Sequence, residues 1–346
     1  MASMKQIAEL ANVSVTTASI VLNGKGEQQR ISAETQRRVM EAARALDYRP
    51  NISAKRLRSG GETVAPVIAL FWTLDTRSSL LGPFLKGVQD AMQTLEVEHE
   101  LLIQPFVGSR IQDVKSLMTG TRFNGAIITN ATEEDENYLN EAELNIPIVL
   151  YQRSSDKHSF VTVDNYGTGQ RIARLLASRG HTRVGLILPQ VSSSAIRLRK
   201  EGFLQEAASL GMAVSENHIA YGEFSESGGY KAALQIIISE ERPTALFISS
   251  DQMAVGALLA LREQGVQVPA DMEIVGHDDY DNARYSVPPL TTVHLPIQEM
   301  AAACVHMLVD LLGHKIAPPV SRMFETQIIV RETCGGFPEK NGEEES

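Results

Sequence analysis

Val15, Thr16, Ser19 and Ile20 fall at helical spacing near the N-terminus and would form one outward stripe of two aliphatic and two hydroxyl side chains. Hydroxyls hydrogen-bond base edges and aliphatic groups touch thymine methyls, so such a stripe suits the major groove of a DNA duplex. Short polar residues frame it: Ser14, Thr17, Asn23, Ser32 and Thr35 are of a size to contact phosphates. Ser14 and Ser32 are equally suited to cap helices, and the two roles are compatible. A second cluster follows, with Leu57 set among Lys55, Arg56 and Arg58. An apolar side chain surrounded by cations suits a wedge in a minor groove; a frayed linker is the plainer reading, and both hold if the segment orders only on DNA. Farther on, Asp278, Asp279 and Asp281 lie beside His277. Their spacing matches no metal-binding loop, and no metal is expected there.

These residues need elements to hold them. Ile7, Ala8, Leu10 and Ala11 form an apolar helical face that stops at Asn12, and Ala18, Val21 and Leu22 form a second one beginning after Ser14. Two short helices with a tight turn make a helix-turn-helix. The turn calls for positive φ at Asn12, which asparagine tolerates. A third helix capped by Ser32, with Val39, Ala43 and Leu46 inside, makes the pair self-supporting.

Charge divides the chain in the same place. Of its 346 residues, the first sixty hold ten Lys/Arg and five Asp/Glu, whereas the remainder holds 22 against 37, for a net charge of -10. A basic head on an acidic body is the asymmetry of a nucleic-acid arm, with a solvated helical surface as the plainer alternative. Two cysteines exclude a disulfide scaffold or a multi-cysteine zinc module. No run of ~18 apolar residues exists to cross a bilayer, and the polar N-terminus is unlike an export signal, so the cytoplasm is the expected compartment.

Beyond residue 64, short β-branched runs alternate with amphipathic stretches. Strands are predicted at 67–71, 100–104, 126–129, 148–151, 184–188, 219–221, 246–249 and 273–276. Helices are predicted near 81–95, 111–119, 133–143, 167–178, 197–210, 226–239, 252–264 and 296–312. The class is α/β with mostly parallel sheets. A split near residue 162, a return near Pro288-Pro289-Leu290 and a last strand at 326–330 make two sheets joined by crossings, a hinged clamshell that binds small ligands at the carboxyl ends of its strands. No dinucleotide, Walker or nucleophile-elbow motif is present, so neither an enzyme, nor a catalytic residue, nor a cofactor is expected.

With these features assembled, the chain resembles the LacI/GalR family of bacterial transcription regulators over nearly its whole length. The resemblance rests on residues 4–14, 21–24 and 49–51, on Ala54 and Leu57, and on 164–169, 180–183, 199–203 and 226–228. It continues through 251–254, 275–279 and 288–292. It implies a helix-turn-helix head at 1–50 and a hinge helix and linker at 51–61. It further implies a periplasmic-binding-protein-like clamshell, with one subdomain at 62–162 plus about 293–320 and another at 163–290 plus about 321–340, before a disordered tail at 341–346. The implied protein is a sequence-specific DNA-binding regulator, a repressor in most of the family, located in the cytoplasm at the nucleoid. It would be a homodimer or tetramer on a palindromic operator, without a membrane partner, controlled by a small effector such as a sugar or sugar derivative.

By the same resemblance, Met4, Val15, Thr16, Ser19, Ile20, Ala54 and Leu57 face the DNA grooves, and Arg30 reaches the backbone. Arg199, Asp278, Phe224, Gln152, Ser250 and Leu80 face the effector. Plainer roles stay open for three of these: a surface ion pair for Arg199, a core ring for Phe224 and a turn cap for Asp278. The alternative function is a sugar-binding clamshell without regulatory output.

Overall fold

A computed structural model describes residues 4–22, 24–46, 65–73, 78–95, 98–120, 122–239 and 241–335. Asn23, Ala54, Leu57, the hinge at 51–61 and the tail at 341–346 lie outside the described residues.

The head consists of α1 (Met4–Leu10), α2 (Val15–Leu22) and α3 (Ala33–Ala45). Its core is small: Ile7, Ala8, Ala11, Ala18, Val21, Leu22, Val39, Ala42 and Ala43 pack together. Asn12 has φ 49°, the left-handed geometry that lets the chain reverse within one short turn. Leu46 is half-buried against the edge of this core.

The chain divides into two compact units. The first comprises Met1–Asp75, which includes the head, together with Gly82–Thr162 and Gln298–Arg322. Its six-stranded sheet has the order β11-β5-β4-β3-β1-β2. These strands are β1 (Val67–Thr73), β2 (Glu100–Phe106), β3 (Gly125–Ile128), β4 (Ile148–Tyr151), β5 (Ser159–Val163) and β11 (Ser321–Phe324). β1 pairs in parallel with both β2 and β3, and β4 with both β3 and β5. Leu81–Thr94 (α4), Lys115–Thr119 (α5) and Glu133–Glu141 (α6) connect its strands. Phe71, Phe106 and Phe123 stack tilted or edge-on in its core.

The second unit comprises Thr76–Leu81, Val163–Ile297 and the chain from Met323 onward. Its sheet has the order β12-β10-β9-β8-β6-β7. These strands are β6 (Val184–Pro189), β7 (Ile219–Gly222), β8 (Ala245–Ile248), β9 (Glu273–Asp278), β10 (Thr291–His294) and β12 (Gln327–Ile329). All neighbours are parallel except β10 and β12. The helices are α7 (Asn165–Ser178), α8 (Ser194–Ser209), α9 (Glu226–Ile237), α10 (Asp251–Glu263) and α11 (Asp281–Tyr285). α12 (Ile297–Leu312) carries the chain back into the first unit. One apolar cluster of the second unit centres on Ala257, Leu261 and Ile274, the other on Phe203, Phe247 and Leu186.

Three expectations need correction. The segment 111–119 is two pieces, because Val114, at φ -83° and ψ 80°, interrupts the helix. Residues 159–163 form a strand that the predicted set lacks. The return crossing comes after Ile297, not near 293, because Thr291–His294 is a strand paired with β9.

Candidate functional site

In the head, Ser14 caps α2: the Thr17 N–H donates to its Oγ at 3.0 Å, and the two hydroxyls lie 2.8 Å apart. The cap leaves the first turn of α2 facing outward, with Val15 48% exposed and Thr16 beside it. Ser19 and Ile20 are half-buried on the following turn. Ser32 caps α3 in the same way, accepting from the Thr35 N–H at 3.2 Å and donating to the Thr35 Oγ1 at 2.9 Å. Arg30 is exposed in the loop before it, at φ 55°. Met4 packs partly against the head core, which limits its side chain as a groove contact.

The second unit has a recess of about 210 Å³, part of it open to solvent, at the carboxyl ends of its strands. Leu80, Phe224, Ser250 and Asp278 meet there, brought together from four distant chain segments. Ser79, Asp251, Gln252, Tyr280 and Asn282 complete the lining. Ser250 ends the β8 loop and precedes α10; it is 1% exposed, and its Oγ has no hydrogen-bond partner among the described residues. Asn282 Oδ1 also lacks one there. Buried polar atoms are usually satisfied, so these two mark places that suit a ligand's polar groups.

Asp278, 4% exposed, ends β9 at φ 117°, a left-handed value that costs an L-residue energy and tends to occur at functional sites. The His277 Nδ1 lies 2.9 Å from its Oδ1. Asp251, at the start of α10, is a site residue outside the set expected from the sequence. Burial pushes its carboxyl up to about 8, and the neighbouring Asp278 adds to the rise. Bonds donated by the Thr292 hydroxyl at 2.6 Å and the Tyr280 N–H at 3.0 Å oppose it. Asp251 is therefore held mostly protonated at neutral pH, so the recess avoids burying two adjacent negative charges. The signal was present in the sequence: Ser249-Ser250-Asp251 follows an apolar strand and opens a helix, a ligand-facing position in a parallel sheet. Asp279 turns to other partners, bonded by Arg331 at 2.6 Å and His294 at 2.9 Å. Burial raises its carboxyl pKa, but these bonds outweigh that and leave it lowered.

Arg199 lies outside the recess lining. It is 1% exposed on α8, and its Nη2 donates to Asn165 Oδ1 at 2.8 Å, so it is not a surface ion pair. The local packing explains two motif glycines. A Cβ at Gly169 would collide with the Arg199 carbonyl, and one at Gly202 with the Tyr166 carbonyl. Only glycine lets α7 and α8 approach closely enough to hold the Arg199–Asn165 pair. Phe224 is half-buried at the edge of an apolar cluster and also lines the recess, so its core and ligand-facing roles coexist. Gln152 belongs to the first unit: it follows β4 at φ 59°, is buried, and neither its Oε1 nor its Nε2 has a partner among the described residues.

The comparisons match this arrangement. Residues 173–334 match the periplasmic binding protein-like domain, and residues 3–51 match the family of bacterial regulatory proteins, lacI family. The HTH-type transcriptional repressor PurR of Klebsiella pneumoniae subsp. pneumoniae is 30% identical over 349 residues, 98% of either chain. The chain belongs to the lacI family. A solved lacI-family regulator from Clostridium acetobutylicum is 34% identical, with a TM-score of 0.72, over 77% of this chain and 99% of that one. The regulator CelR, solved in complex with cellobiose, is 26% identical with a TM-score of 0.69, over 96% of this chain and 100% of that one. As a lacI-family protein, the chain is a DNA-binding transcriptional regulator with a domain for a controlling small molecule.

Proposed function

We propose that the chain is a repressor that binds a near-palindromic operator as a homodimer and is switched by a neutral, sugar-like effector seated in the recess of the second unit. The observation that carries this is the meeting of Leu80, Phe224, Ser250 and Asp278 at the strand ends, with the Ser250 hydroxyl unsatisfied. Leu80 and Phe224 offer an apolar face to a ring, while Asp278 and Ser250 accept hydrogen bonds from hydroxyls. Among the described residues no lysine or arginine lines the recess, and a carboxylate does, which favours a neutral polyol over a sugar acid or phosphate. CelR with cellobiose is a relative that binds such a ligand. The reading is regulatory rather than enzymatic, and it places the protein in the cytoplasm on the chromosome.

The test is calorimetric titration of the full chain with neutral sugars, uronates and sugar phosphates, followed by operator gel shifts with any binder. A neutral sugar should bind and change operator affinity, and Asp278→Ala should lose both responses while still binding operator. Binding unchanged in Asp278→Ala would remove the recess as the effector site.

A further inference from the structure

The stripe on α2 has a chemical peculiarity. None of the eight residues from Val15 to Leu22 is charged, and none carries an amide. Its outward side chains are aliphatic at Val15 and Ile20 and hydroxyl-bearing at Thr16 and Ser19. The side chains that read purines with two bonds at once are arginine and lysine for guanine, and asparagine and glutamine for adenine. This helix has none of them. Exposed cations do exist in the head, at Lys5, Lys25, Arg30, Arg37 and Arg38, but they lie outside α2, where phosphate contact adds affinity and little sequence information.

We propose that α2 reads its half-site through thymine methyl groups, so that the base pairs beneath Val15 and Ile20 are A·T with the thymine methyl facing the helix. The proposal rests on the operator-binding reading and specifies what that helix selects. Two effects act in the same direction. A thymine methyl against Val15 or Ile20 removes apolar surface from water. A guanine or cytosine in the same place would lose water from its O6, N7 or N4 against an aliphatic wall that offers no replacement bond. Thr16 contributes both a methyl and a hydroxyl, and Ser19 a hydroxyl that accepts or donates, so neither overturns the preference.

The experiment starts by selecting duplexes from a random library with the full chain. Each thymine beneath α2 in the selected duplex is then replaced by deoxyuridine, which removes only the C5-methyl. The expected result is A·T at these steps, with roughly a fourfold loss of affinity for each buried methyl removed. In Ile20→Ala, the deoxyuridine penalty at the position facing residue 20 should vanish while the penalty facing Val15 persists, a coupling that general damage to the head would not produce. G·C pairs at these steps, or equal affinity for thymine and uracil duplexes, would overturn the proposal. Failure to select any duplex would overturn the operator-binding reading, and this inference with it.

Discussion

The head and the recess read different molecules by opposite means. The head exposes its readers on a stripe over a minimal core in which four of nine buried residues are Ile7, Val21, Leu22 and Val39 and the rest are alanine. Its polar side chains at the helix starts, Ser14 and Ser32, are already bonded locally. The recess instead buries its readers and leaves some unbonded, as at Ser250, while Asp251 gives up its charge to be there. A duplex brings charge and groove shape, so a small, satisfied surface suffices. A small molecule offers few contacts, so each must be worth more, and desolvated polar groups make it so. The head therefore spends little stability on recognition, whereas the strand ends hold groups that would be more stable with a partner.

The largest effect that can break this contrast is a cavity in the head. Ile7→Ala removes one of the few large side chains in that core, at a cost of about 2–5 kcal/mol. A core this small supplies only about that much. The variant should lose operator binding and show a low-temperature transition for the head, while the second unit melts as in the parent. Calorimetry with one undivided transition, shifted throughout, would show that the head is not an independent reader.

An effect smaller per pH unit tests the strand ends. Because Asp251 keeps its proton up to about 8 when folded, against about 3.9 for an ordinary aspartate, the unfolded chain releases that proton first as pH rises. Its contribution to stability is complete at low pH and declines through the window from about 4 to about 8, by at most about 1.4 kcal/mol per pH unit. Asp251→Asn should remove this slope and leave a flatter stability profile between pH 5 and 8. A variant whose profile parallels the parent's would mean that Asp251 is ionised in the fold.

How much of this was legible in the chain depends on range. The helix-turn-helix was readable because Ser14, Asn12 and the Ala18–Val21–Leu22 face are local signals within ten residues. β10 was not: Thr291 and Thr292 are fully buried, yet their sequence is polar, and hydroxyl bonds to Asp251 and to the Arg331 backbone make that burial tolerable. Those partners lie about forty residues away. The recess shares the difficulty, since Leu80 and Phe224 are far apart in sequence, and no periodicity links them; resemblance to a family did. Resemblance also proposed Arg199 as a ligand anchor, whereas its bond to Asn165 depends on two glycines whose close packing only the folded helices reveal.

The smallest effect has the opposite sign. Gln152 is buried after β4 with both ends of its amide unbonded. An unsatisfied buried amide costs about 1–3 kcal/mol of desolvation, which a ligand could recover and an apolar replacement avoids. Methionine has nearly the same length, is unbranched at Cβ, and brings no further penalty at φ 59° than glutamine already bears. Gln152→Met should therefore raise the melting temperature by about 2–4 °C, equivalent to about 1 kcal/mol in a unit of this size. Gain of stability would show that the buried amide costs the first unit the desolvation of both its ends. Loss of stability instead would mean that water or a neighbouring group already satisfies the amide, and the contrast between satisfied head and unsatisfied strand ends would have to be confined to the second unit.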